Sequence, residues 1–163
     1  MTITAWRITK QRHVESAFSG EGARLYGGRW NSPGTPVVYV AQSQALAVLE
    51  VLVHLDSPAL LEKYALIQVD FDDASITSLN RVVLPTNWRD DPAPAEAQAI
   101  GDDWAKKSRS VALRVPSSLV PAEFNFLLNP RHADFKNLKV HKAISYQLDP
   151  RLSGKAVTWQ RFS

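Results

Sequence analysis

Short apolar runs bounded by Pro, Gly and Ser alternate along this chain with two longer segments whose apolar residues recur at helical spacing. The run Val37-Val38-Tyr39-Val40-Ala41 is β-branched, follows Pro36 and stops at Gln42-Ser43, which predicts a buried strand over 36–41. Ser43 then stands where an N-cap belongs, and the helix it starts runs from Gln44 to about Leu55. Alternation over 64–71 predicts a second strand and 76–79 a third, whereas "DDPAP" at 90–94 is loop by composition. Ala97, Ile100, Trp104 and Ala105 recur as on one face of a helix, so 95–108 reads as a surface helix in spite of Gly101. "SVALRVPS" and "EFNFLLNP" predict two strands joined by a Pro-containing loop, and 139–148 a further strand pair or one bent strand. Several strands in mixed order with two helices make the fold class α+β. With no repeat, low-complexity tract or composition break, the chain is expected to form one domain over 1–163.

Composition changes that picture little. A chain of 163 residues buries roughly 70 % of the surface of its unfolded form, and 45 % hydrophobic with 21 % charged residues are ordinary globular values. Nineteen Lys and Arg against sixteen Asp and Glu leave a formal charge of +3, spread without a run of five like charges, so charge alone does not point to nucleic acid. Cysteine is absent, which excludes disulfides and thiolate metal sites and fits a reducing cytoplasm. No stretch approaches the roughly 18 apolar residues of a membrane span, and the chain reads as soluble and cytoplasmic.

The helix "QALAVLEVLVHL" is apolar almost all the way round, which predicts burial on most sides, yet Glu50 stands in its middle. A buried carboxylate must become neutral or find a cation and hydrogen-bond donors, because an unpaired charge costs several kcal/mol. Arg29, in the glycine-rich segment before the strand, is its natural partner, and His54, one helical turn on, is the other neighbour. Such a pair is either a structural ion pair or an active-site carboxylate at the rim of a cleft.

Gly20, Gly22, Gly27, Gly28 and Gly34, five of the seven glycines, surround Arg29 and Trp30, which read as exposed. They permit positive φ and close approach of a ligand or another strand. The segment lacks the GK[ST] ending of a P-loop, although the planar fork of Arg29 suits phosphate or carboxylate; a turn-rich hairpin around a surface arginine would look the same. The Tyr39 ring faces either the core or a flat aromatic ligand. Ser117 and Asn125, at strand ends, either converge on a pocket or cap turns. His13, His54, His132 and His141 show no HxxxH or HExxH spacing, and neither a GxSxG elbow nor an RNP-type strand is present.

Taken together, "WRI", "FSGEGARLYGGRWNSPGTPVVYVA", "ALAVLEVLVHL", "VALRVPSSLVPAEFNFLLNP" and "LDPRL" resemble the RES domain, the toxin half of Xre–RES toxin–antitoxin modules. The Arg, Glu and Ser that name the family match Arg29, Glu50 and Ser117 in order, with Ser118 the alternative serine. The resemblance implies a fold similar to the ADP-ribosyltransferase toxins, a split β-sheet with flanking helices and a nicotinamide dinucleotide in the cleft. It implies consumption of NAD+ as substrate without a metal, with ADP-ribose passed to water, phosphate or a protein. Glu50 would stabilise the cationic ribose, Tyr39 would stack on nicotinamide, and Arg29 would hold the pyrophosphate or orient the ribose. Ser117 and Asn125 would bond the amide or ribose, and Arg7 a phosphate. A homodimer covered by an Xre-type antitoxin is the implied assembly, with DNA contacts left to the antitoxin and no membrane partner. Two other readings stay open: a catalytically silent partner-binding domain in which Arg29 and Glu50 only pair with each other, and a nucleic-acid-binding regulator.

Overall fold

The structure is a computed structural model in which residues 1–55 and 62–152 are described; 153–163, the end of the expected domain, lie outside them. Strand β1 (Thr2–Lys10) buries Ala5 and Ile8 on opposite faces. The pattern of apolar runs does not single it out, because Thr, Arg and Lys fill much of it. It pairs antiparallel with β3 (Tyr64–Asp72) over the whole of its length, from Thr2↔Asp72 to Lys10↔Tyr64. Strands β2 (Val38–Ala41), β4 (Ile76–Ser78), β5 (Ala112–Pro116) and β6 (Phe124–Leu128) fall within their predicted segments. Of the two alternatives for 139–148, the bent strand forms: β7 (Lys139–Val140) and β8 (Ile144–Tyr146) both follow one edge of β3.

The sheet runs β4-β5-β6-β2-β1-β3-β7, with β8 also on β3, and only the β4/β5 pair is parallel. At its middle, β1 and β2 share the single register pair Trp6↔Ala41, so the sheet is nearly parted there into two halves, as the resemblance implies. Residues directly opposite in an antiparallel ladder share a face. Trp6, Ala41, Asn125 and Val115 therefore form one row across four strands. On that face, helix α2 (Gln44–Leu52) covers an apolar cluster of Ile8, Ala41, Leu46, Ala47, Tyr64 and Leu66. Helix α3 (Ala95–Lys107) covers a second one, built on Trp30, Ala97, Trp104, Leu113, Val115 and Leu127. Asn125 falls in the row where one cluster gives way to the other, so a polar side chain stands between the parts of this face that the two helices cover.

Three expectations are corrected. Helix α2 ends at Leu52, and Leu46 and Ala47 are its buried residues, while Leu49 is 43 % and Val53 56 % exposed. A helix lying on a sheet is covered on one side only, so an all-round apolar sequence leaves an apolar outer face. Trp30 is buried, stacked on Trp88 with ring centroids 5.9 Å apart. Helix α3 is more than a surface helix: Gly101 lies so close to the Trp30 backbone that a Cβ there would stand 1.8 Å from its carbonyl oxygen. A short helix, α1 (Glu21–Tyr26), occupies the glycine-rich segment, where no helical periodicity is visible. No helix among the described residues is long and apolar enough to cross a membrane.

The β1/β3 half carries a polar clasp. Asp70 Oδ1 accepts from Gln68 Nε2 (3.0 Å) and Thr4 Oγ1 (2.8 Å), and Oδ2 lies 2.7 Å from His141 Nε2. The Gln68 amide, with His141 and Thr4, outweighs the cost of burial and holds the Asp70 carboxyl down at about 2. A carboxyl depressed on folding stabilises fully above its unfolded pKa near 4 and loses that contribution as pH falls toward 2, here about 2 kcal/mol. In urea titrations, the parent chain should therefore lose about 2 kcal/mol more stability between pH 5 and pH 2 than Asp70→Asn does. Equal losses would show that the clasp is not the source.

Candidate active site

The Ser43 hydroxyl caps α2, accepting from Leu46 N–H at 3.1 Å, and thereby fixes the face on which Glu50 emerges two turns later. Glu50 Oε1 accepts from Asn125 Nδ2 at 2.6 Å and from Ser117 Oγ at 2.9 Å, so α2, β6 and the end of β5 meet at one carboxylate oxygen. Fully buried Ser117 also accepts, at its Oγ, from the N–H groups of Leu119 and Val120, both at 3.1 Å. A hydroxyl has one proton and two lone pairs, so Ser117 has no bonding capacity left for a ligand. Ser118 engages elsewhere, its carbonyl accepting from Arg89 Nε at 3.0 Å. An ionised carboxylate only accepts, which obliges Asn125 to turn its NH2 toward Glu50. Its Oδ1 is then buried without a partner among the described residues.

Arg29 occupies the tip of a tight turn closed by Gly28 N–H on the Asn31 carbonyl at 2.9 Å. Gly28 is required there, because a Cβ would stand 2.7 Å from Tyr39 Oη. That hydroxyl donates to Asn31 Oδ1 (2.6 Å) and accepts from Trp30 N–H (3.1 Å). Burial raises the Tyr39 pKa, with the Trp30 N–H working against it; the charge of Asp102 raises it further, Arg29 lowers it and Glu50 raises it. Arg29 and Glu50 thus both bear on Tyr39, but the expected ion pair between them does not form. Arg29 Nη1 donates instead to the carbonyls of Trp88 (2.7 Å) and Asp90 (2.8 Å), while two neutral donors satisfy Glu50. His54 lies past the end of α2 in an exposed turn.

By register, the Arg7 Cβ lies on the sheet face opposite Asn125, since its neighbour Trp6 shares the Asn125 row. Its Nη1 reaches across the seam between the two halves to the Tyr39 carbonyl at 2.8 Å. Burial lowers the guanidinium pKa to about 10, and Nε is buried without a partner among the described residues. Arg7 therefore fills the parting of the sheet and ties down the main chain of Tyr39.

Sequence reasoning missed the frame behind the turn. Fully buried Asn31 donates to the carbonyls of Ala23 (2.9 Å) and Thr35 (3.0 Å). Gln98 Nε2 donates to the Gly28 carbonyl at 3.0 Å, and Asp102 accepts from Ser32 N–H at 3.0 Å and from the Ser32 hydroxyl. The available signal was spacing: Gln98 and Asp102, four apart, share a helix face with Gly101, which lies against the Trp30 backbone. Among the described residues, no three His, Asp or Glu gather as a metal site.

The RES domain family model matches residues 4–149. A protein named Toxin Res from Yersinia enterocolitica is 45 % identical over 148 residues, covering 90 % of this chain and 97 % of that one. The Prs ADP-ribosylating toxin of a Sphingobium species is 39 % identical over 161 residues, 96 % of this chain and all of that one. The NAD(+) phosphorylase MbcT of Mycobacterium tuberculosis is 31 % identical over 116 residues, 61 % of this chain and 57 % of that one. A crystal structure of the M. tuberculosis MbcT–MbcA toxin–antitoxin complex holds a chain of the same fold, with TM-score 0.75 and 21 % identity over 94 % of this chain and 87 % of that one.

Proposed function

The chain belongs to the RES-domain family, and on that premise we propose that it is the toxin of a toxin–antitoxin pair and consumes NAD+ by breaking the bond between nicotinamide and its ribose. The observation that carries this reading is the setting of Glu50: a carboxylate on an apolar helix, fixed at Oε1 by two neutral donors and paired with no cation among the described residues. Cleavage of this bond passes through an oxocarbenium-like ribose, which a preorganised negative charge stabilises. Neutral donors orient the carboxylate without cancelling its charge, as a salt bridge to Arg29 would have done. Nicotinamide departs as a neutral group from a cationic ring, so no general acid is needed.

The other residues divide the work. The Tyr39 ring offers a stacking face for nicotinamide while its hydroxyl is committed to the turn. Arg29, held at Nη1 by two carbonyls, offers the rest of its fork to the pyrophosphate. Ser117 and Asn125 aim Glu50, and Arg7 braces the Tyr39 backbone. Water, phosphate or a protein side chain attacks the ribose once nicotinamide has left, and these residues serve all three acceptors alike. In this reading 1–163 is one domain acting on NAD+ in the cytoplasm, as a homodimer neutralised by an Xre-type antitoxin, without metal, membrane or direct nucleic-acid contact. The relatives named as toxins, and the antitoxin bound to the MbcT fold, support it.

Mass spectrometry of NAD+ incubated with the purified chain, in phosphate and in phosphate-free buffer, tests the reading. Nicotinamide with ADP-ribose, its phosphorylated form or a modified protein is expected; intact NAD+ in both buffers would overturn it. Within the same assay, Ser117→Ala should lower kcat about 10-fold, the worth of one hydrogen bond to a charged group, with KM near that of the parent. Ser118→Ala should match the parent. A raised KM with kcat retained in Ser117→Ala would show instead that this hydroxyl meets the ligand.

A further inference from the structure

We propose that Asn31, which has no place among the residues that meet NAD+, is the positioning residue that sets Arg29, acting through the Tyr39 hydroxyl. The inference rests on the functional reading above, in which Arg29 binds the pyrophosphate. Asn31 is fully buried, and its amide joins three separate segments: Nδ2 donates to Ala23 of α1 and to Thr35 of the loop before β2, and Oδ1 accepts from Tyr39 of β2. Its own carbonyl closes the turn by accepting from Gly28 N–H, and Tyr39 Oη accepts from Trp30 N–H. The residues before and after Arg29 are therefore both tied to one Asn31–Tyr39 pair, Gly28 being held as well at its carbonyl by Gln98 Nε2. The bond order is also forced. Asn31 Nδ2 faces carbonyl oxygens, which cannot donate, so its Oδ1 is the only atom that can take the Tyr39 proton. Once that proton is given, the Tyr39 hydroxyl can only accept, and Trp30 N–H fills that role. Tyr39 thus acts on the reaction by its ring and on Arg29 by its hydroxyl.

The consequence is a split between binding and turnover. An arginine that grips the pyrophosphate holds ground state and transition state alike, so displacing it raises KM and leaves kcat. Tyr39→Phe keeps the ring and removes only the hydroxyl; KM for NAD+ should rise about 10-fold with kcat changed less than about threefold, as for one lost bond behind a charged contact. Asn31→Ala should raise KM at least as much, with a lower melting temperature; should it fail to fold, Tyr39→Phe still decides the matter. The discriminating step is a double-mutant cycle with Arg29→Ala. If the hydroxyl works through Arg29, adding Tyr39→Phe to Arg29→Ala raises KM by less than about twofold, because there is no longer a guanidinium to misplace. A further 10-fold rise in the double variant, or a Tyr39→Phe effect confined to kcat, would overturn the inference while NAD+ cleavage by the parent still stood. Absence of cleavage by the parent would instead mark a failure of the functional reading.

Discussion

Glu50→Gln is expected to slow nicotinamide release from NAD+ about 1,000-fold while the chain stays folded. The size follows from Coulomb's law: a unit charge about 4 Å from the developing cation, at an effective dielectric constant near 20, is worth about 4 kcal/mol, or about three powers of ten in rate. The substitution is close to a pure charge deletion, because the glutamine carbonyl can accept from Ser117 Oγ and Asn125 Nδ2 as Oε1 does. The melting temperature should therefore stay within a few degrees of the parent, which circular dichroism checks alongside the rate. A folded Glu50→Gln variant with the parent's turnover would remove Glu50 from the chemistry.

Gly101→Ala is expected to destabilise the chain by roughly 3 kcal/mol or more, at the upper end of what overpacking produces. Alanine is ordinarily the better helix former, so propensity alone predicts the opposite sign by about 1 kcal/mol. Packing wins here because the new methyl would stand 1.8 Å from the Trp30 carbonyl oxygen and 2.9 Å from its carbon. Neither side can yield cheaply. Trp30 is buried against Trp88 and bonded through its N–H to Tyr39, and α3 is anchored by Ala97 and Trp104. Any relief must move the turn that carries Arg29, so NAD+ affinity should fall as well. Gly22→Ala is the control: it stands in α1 with open space around it and should leave urea stability unchanged or slightly higher. A Gly101→Ala chain within about 1 kcal/mol of the parent would contradict this packing of α3 on Trp30.

How much of this was legible in the sequence depends on the range of the interactions. Strands β2, β5 and β6 and the start of α2 could be read because apolar runs, Pro and a capping Ser act over a few residues. Strand β1 escaped because its pattern is half polar and its order comes from pairing with residues more than fifty positions away. Glu50 could be singled out, since a carboxylate in an apolar helix demands a partner, yet the partner inferred from proximity was wrong. Arg29 is nearer in sequence, but Ser117 and Asn125 are brought to Glu50 by the register of β6 on both β2 and β5. The glycines read as a group separate into distinct uses. Gly28 makes room for the Tyr39 hydroxyl, whereas Gly22 meets nothing. Gly101, discounted as a poor helix residue, proves to be where a helix touches a backbone, a contact no periodicity encodes.

The most direct test of the central claim is the position of the broken bond. With the purified chain, nicotinamide should appear mole for mole with the NAD+ lost, and with Glu50→Gln in its place neither should change over the same time. Release of nicotinamide mononucleotide in place of nicotinamide, which would place the cut at the pyrophosphate, or equal nicotinamide release by the Glu50→Gln chain, would contradict it.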